Sequence, residues 1–236
     1  MFRAARLAAI ASFAFAASQA FAETHSFHYL NPDDFVAAKI LPPPPAAGST
    51  VEKAEMAQIR ALIASATPEQ IAQARADDAK ETPTMFDGAV GLSLKDLPAT
   101  WELLEIVREE AEAVVTPAKD YFARMRPWGV DPSLPNCQAG TGRKPVGSYP
   151  SGHTIVAYSM GTTLAALAPS KAEAVLLRTQ GYALNREYCG EHFPSDVEAS
   201  HVLGNEVAKR ALMLPALWEK VEAAKAELAK ALAMKG

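Results

Sequence analysis

The chain has 236 residues, 49 % of them apolar and 21 % charged, which suits a folded domain and excludes a disordered chain. Its formal net charge of −4, falling to −6 if a leader holding Arg3 and Arg6 is removed, argues against a broad nucleic-acid-binding face. No stretch after the first two dozen residues is long and apolar enough to span a bilayer, so no stable membrane insertion is expected.

Residues 1–22 read as an export signal: two arginines, an apolar stretch from Leu7 to Ala17, then Ala20-Phe21-Ala22 as a cleavage site, with Glu23 the first mature residue. A membrane anchor or buried helix is the alternative. Residues 23–48 form an irregular arm ending in Leu41 and the run Pro42 to Pro45, which cannot be helix interior and should lie extended on the surface of the domain or of a neighbouring subunit. Residues 49–236 should form one helical domain. Its helices are predicted near 49–66, 68–79, 95–125 (bent or broken at Pro98 and Pro117), 153–168, 170–187, 195–214 and 216–234. The signals are apolar residues at three- and four-residue spacing behind capping-box patterns at Ser49/Glu52, Thr67/Gln70, Ser170/Glu173 and Ser195/Glu198. Alternating strand patterns are nearly absent, so the fold class is all-α. The longest non-helical stretch runs from Arg126 to Gly152, and loops of that length in compact domains usually carry function or are disordered.

Export would bring Cys137 and Cys189 into an oxidising compartment, where they can pair. That bridge would close a loop of about 50 residues and contribute about 4 kcal/mol through chain entropy. A metal site shared with His192 is the competing use of the two thiols. Gly140 to Lys144 lacks the spacing of a nucleotide-binding P-loop, no G-x-S-x-G elbow exists, and no H-E-x-x-H occurs. Of the five histidines, His25 and His28 fall in the arm and should be solvated, and His201 lies on a helix beside apolar residues as a core histidine.

Three segments remain. Lys119 and Arg126, seven residues apart, would project from one side of a helix that Pro127 ends. Pro150-Ser151-Gly152-His153 is a turn delivering a helix start, where unpaired N–H groups and the positive end of the helix dipole favour an anion. Arg186 precedes His192 by six residues, and Asp196 follows in the first helical turn, from where its carboxylate can reach an imidazole nitrogen. Taken one at a time, a solvated cationic face, an ordinary cap and a dipole-complementing acid explain these residues. Together they supply what phosphoryl transfer through a histidine requires: cations for the phosphate oxygens, a nucleophilic His192 oriented by Asp196, and His153 as proton donor. No metal or other cofactor is needed in such a scheme.

These segments, Lys119-x6-Arg126-Pro127, Pro150-Ser151-Gly152-His153 and Arg186-x5-His192-x3-Asp196, resemble the signature of the bacterial class A non-specific acid phosphatases. That family sits within the superfamily of type 2 phosphatidic acid phosphatases and vanadium haloperoxidases. The proline run, Gly147-Ser148-Tyr149 and the cysteine before His192 extend the likeness. The resemblance implies a single compact helical domain, a periplasmic or secreted enzyme, phosphomonoester substrates and a phosphohistidine on His192 with His153 as general acid. It further implies that Lys119, Arg126, Ser151, Gly152 and Arg186 hold the phosphate, that Asp196 orients His192, and that the chain forms dimers or larger homo-oligomers. One departure is Asn185, where the family usually has serine. A protonated His153 beside an unprotonated His192 predicts greatest activity below neutral pH, and transfer to another alcohol is an expected side reaction. Trp128, Tyr149 and Phe193 adjoin the motifs, as packing residues or as an apolar rim, and Arg143 and Lys144 are solvated loop charges or meet substrate at the mouth. A vanadate-dependent haloperoxidase and a phosphate-binding protein without turnover are the other functions the same ligands could serve. A lipid phosphatase is disfavoured by the missing spans.

Overall fold

The computed structural model describes residues 25–135, 137 and 144–235. The export signal expected in residues 1–22 and the expected role of Arg143 lie outside the described residues. Among these residues seven helices of more than ten residues follow one another: α1 (Thr50–Ala64), α2 (Pro68–Asp78), α3 (Pro98–Phe122), α4 (Gly152–Leu167), α5 (Ala172–Tyr188), α6 (Pro194–Met213) and α7 (Trp218–Ala233). Among the described residues the only extended pairing is an isolated antiparallel bridge between Met125 and Val146. The all-α expectation therefore holds, and none of the described helices is long and apolar enough to cross a membrane.

Helix α4 is the axis of the molecule. Ile155, Val156, Ala157, Met160 and Leu164 are each at most 1 % exposed, as befits a helix apolar nearly all round. It packs against α3, α5 and α6. The approach of α6 is close enough that a Cβ at Gly204 would sit 2.7 Å from the carbonyl oxygen of Ile155, so only glycine fits there. Helices α5 and α6 thus leave their connecting loop, which holds His192, beside the N-terminus of α4.

Several boundaries differ from the sequence reading for local reasons. Pro98 opens α3 at its first position instead of bending a longer helix, and Pro117 is accommodated inside it. The Thr67/Gln70 capping box forms in full. Ser49 caps α1, but Glu52 accepts from Gly48 N. Helix α5 begins at Ala172 without a side-chain cap, so the Ser170/Glu173 box does not form. Helix α6 begins at Pro194, one residue before the expected Ser195 cap, and Asp196 accepts from Phe193 N.

The arm contains two short helical turns, Pro32–Phe35 and Ala37–Ile40, and buries Leu30, Phe35 and Leu41 in the main core. The fully buried carboxylate of Glu110 on α3 accepts the N–H groups of His28, Tyr29 and Leu30 at 2.8, 2.9 and 3.1 Å. The proline run lies against the domain, where the Pro42 carbonyl accepts from the Tyr149 hydroxyl at 2.8 Å. Tyr149 and Phe193 are packing residues, 2 % and 0 % exposed, so neither forms a rim. His201 is half-buried against Tyr158, not a core residue, because its helix face looks partly outward. Cys137 and Cys189 form a disulfide that ties the long loop to the end of α5, and both sulfurs are thereby closed to a metal.

Candidate active site

The first two motifs are joined by backbone, and the route differs from the sequence expectation. Helix α3 ends at Phe122, and Ala123 takes a left-handed conformation (φ 48°), so Lys119 and Arg126 do not share a helix. Beyond Ala123 the chain runs extended against residues 145–148: Arg126 N donates to Pro145 O at 2.7 Å, and Gly147 N and Ser148 N donate to Arg124 O at 2.9 and 3.0 Å. Arg126 reaches the site from this ladder, where it caps the short turn Pro127–Val130.

His192 is 1 % exposed in the α5–α6 loop. Its Nδ1 lies 2.7 Å from the Ser148 carbonyl oxygen, and its Nε2 lies 3.2 Å from Nη1 of Arg126. A carbonyl oxygen only accepts, so Nδ1 carries the proton and Nε2 the lone pair. Asp196 stands 3.7 Å from Nδ1 and acts on the ring at one remove. Its Oδ2 accepts from the Ser148 hydroxyl at 2.5 Å and from Phe193 N at 2.8 Å, and its Oδ1 accepts from Arg124 at 2.6 Å. The aspartate therefore fixes the serine whose carbonyl fixes the imidazole. Burial, with Arg126 and Lys119 nearby, pushes His192 well below the usual histidine range, so the ring stays neutral. Burial raises Asp196, against the pull of Arg124 and its other donors.

Arg124 organises this side of the site. Its guanidinium bridges Asp196, the Ser195 hydroxyl and Glu55 of α1, the last at 2.7 Å, and covers the Phe193 ring at 3.9 Å. Glu55 in turn accepts from Ser195 N at 2.8 Å. Trp128 is half-buried, and its indole N–H donates to Glu191, which also pairs with Arg126.

At the start of α4, Ser151 is fully buried; its N–H donates to Ser200 and its hydroxyl accepts from Thr154. The first turn of α4 has neither a side-chain cap nor an acid, so its N–H groups keep their attraction for an anion. Beside it is Lys119, whose Nζ would be 3.5 Å from a Cβ added at Gly152. Burial and the charge of Arg126 push this ammonium down to about 8. Among the described residues none hydrogen-bonds to it or pairs with it. Lys119, Gly152 and His153 line a pocket of about 230 Å³ together with Glu81, Glu112 and Val156. His25 lines the same pocket and pairs with Glu112 at 3.1 Å, so it is not simply solvated, whereas His28 is exposed as expected.

Arg186, 1 % exposed, pairs with Asp78 at the end of α2, and His153 Nε2 lies 3.2 Å from the Asp78 carbonyl oxygen. Asn185 donates to Asp77 at 2.7 Å, and Arg178 grips the same carboxylate at 2.8 and 2.7 Å. The departure at Asn185 therefore fastens α2 to α5 immediately behind Arg186. Arg186 and His192 do not line the pocket, yet both imidazoles lie within the electrostatic reach of Arg186 and Lys119. Sequence reading singled out none of Arg124, Glu55, Asp78, Glu81 and Glu191; adjacency to a motif was the one available signal, for Arg124 and Glu191.

A non-specific acid phosphatase of Providencia stuartii is 30 % identical over 200 residues, 81 % of this chain and 80 % of that protein. The PAP2 superfamily profile matches residues 104–216, a span that holds every site residue named from the motifs. The chain belongs to the PAP2 superfamily. A non-specific acid phosphatase of Salmonella typhi is 30 % identical over 150 residues, 61 % of this chain and 59 % of that one. Among solved structures, a transmembrane PAP2-type phosphatidylglycerolphosphate phosphatase from Bacillus subtilis superposes with a TM-score of 0.52. It covers 74 % of this chain and 88 % of its own at 18 % identity, a likeness of fold. This PAP2 protein is a phosphatase, with the helical architecture of its superfamily.

Proposed function

We propose that this phosphatase is exported, periplasmic or secreted, and hydrolyses organic phosphomonoesters in acid without a metal, by two in-line displacements through a phosphoryl group on Nε2 of His192. The observation that carries the reading is the setting of His192: Nδ1 is committed to the Ser148 carbonyl, and the lone pair on Nε2 faces Arg126. Lys119, Arg126, Arg186, Ser151 and Gly152 hold the phosphate oxygens, where fixed positive charge does most of the work of phosphoryl transfer. His153 protonates the leaving oxygen, and Asp196 orients His192 through Ser148. Water then attacks the phosphohistidine, and an alcohol in the same place would be phosphorylated instead. The disulfide is in keeping with an oxidising compartment.

His192→Ala should abolish turnover, and a rapid quench into base with phosphate-labelled substrate should trap label on the wild type and none on the variant. Near-full activity of the variant, or loss of wild-type activity in chelator, would overturn the scheme.

A further inference from the structure

His153 stands between two oxygens. Nε2 faces the Asp78 carbonyl and Nδ1 lies 3.2 Å from Oε1 of Glu81. Because the carbonyl can only accept, Nε2 keeps its proton, and Nδ1 is the nitrogen whose proton can be given and taken back. Glu81 and His153 both line the pocket that reaches Lys119 and Gly152, so Nδ1 meets the carboxylate on the side open to substrate.

Every element around the pair contributes charge. From α3 come Lys119, Glu112 and Arg108; from α5 come Arg186 and the Tyr182 ring, stacked 6.3 Å from the imidazole. Asp78 comes from α2, His192 from the α5–α6 loop, and His25 from the arm, bound to Glu112. Arg186, Lys119 and the ring's own burial all drive the proton off Nδ1. A carboxylate at ion-pair distance opposes them.

We propose that Glu81 is a positioning residue for the phosphatase reaction, holding the proton on Nδ1 of His153 until the leaving oxygen takes it. The inference rests on the general-acid role given to His153 above. In the first displacement the bond from phosphorus to the leaving oxygen breaks, the bond to Nε2 of His192 forms, and the Nδ1 proton passes to the leaving oxygen. In the second, water adds to phosphorus, the bond to His192 breaks, and Nδ1 takes one proton from that water. The His153–Glu81 pair returns to its starting state with no net gain of protons. Burial and Glu112 push Glu81 up while burial and Arg186 push His153 down, so the carboxylate stands where it opposes the loss of the imidazole proton.

The test compares kcat/KM for an alkyl phosphate, whose alkoxide needs a proton to leave, with that for p-nitrophenyl phosphate, whose phenolate scarcely does. Glu81→Gln should lose 10- to 100-fold on the alkyl ester and less than threefold on the aryl ester, within the range general acids contribute. The alkaline limb of its pH profile should move to lower pH, and Glu81→Asp should recover part of the loss. Equal losses on both esters, or an unmoved limb, would overturn the proposal. His153→Ala separates the two levels. If it shows the leaving-group-dependent loss and Glu81→Gln does not, Glu81 has no such role; if neither shows it, His153 is not the general acid.

Discussion

Glu187 offers a quantitative check on how the fold is matched to acid. The side chain is 6 % exposed on α5, and burial with the nearby Glu55 and Asp196 carboxylates pushes it up to about 7, from an ordinary value of 4.5. Between those limits the unfolded chain gives up its proton while the folded chain keeps it. Stability must therefore fall as pH rises from about 4.5 to about 7 and level off above. At about 1.4 kcal/mol for each pH unit, the whole loss is roughly 3 kcal/mol. Glu187→Gln is neutral throughout and removes it. The variant should match the wild type at pH 4 and exceed it at pH 8 by up to about 3 kcal/mol, a rise in Tm of roughly 6 to 12 °C for a chain of this length. His153 and His192, both pushed down, act in the opposite sense: the stability they confer is present above about 6.5 and drains away as pH falls. They are common to both proteins and cancel in the difference. Thermal unfolding at pH 4, 6 and 8 measures it, and parallel curves across that range would refute the reasoning.

Arg124→Met would leave Glu55 and Asp196 buried without their shared cation. It should cost about 3 to 5 kcal/mol in denaturant unfolding; a loss under about 1 kcal/mol would show that the network is not structural. Adding Glu55→Gln should cost less than the sum of the two single changes, since both act in one cluster. Gly152→Ala places a Cβ 3.2 Å from Val115 and 3.5 Å from the Lys119 ammonium. It should lower kcat/KM by roughly 10- to 100-fold and weaken inhibition by inorganic phosphate, with little change in Tm.

Most of the helices were legible in the sequence because they bury apolar residues at three- and four-residue spacing, and three of them, α2, α3 and α6, open at a proline. Their caps were less so: Pro194 took the first helical position and moved the start of α6 ahead of Ser195. Candidate site residues could be proposed because phosphate chemistry restricts the choice of side chains, but their geometry depends on contacts far apart in sequence. Lys119 and Arg126 read as one helical face, whereas the chain leaves the helix at Ala123 and Arg126 is placed by pairing with Pro145. Asp196 read as a direct partner of His192, whereas a backbone carbonyl 44 residues away accepts the hydrogen bond from the imidazole N–H. Glu81 and Asp78 carry no local pattern at all; only the packing of α2 against α5 brings them to His153 and Arg186.

The grip of Glu110 on the backbone of His28 to Leu30 reaches beyond the arm itself. It fixes the chain three residues from His25, so His25 itself is held at the mouth of the pocket that Lys119 and His153 line. A purification tag joined directly to His25 would crowd the opening and distort any comparison of bulky with compact esters. One appended after α7 starts from another helix altogether, with no residue lining that opening.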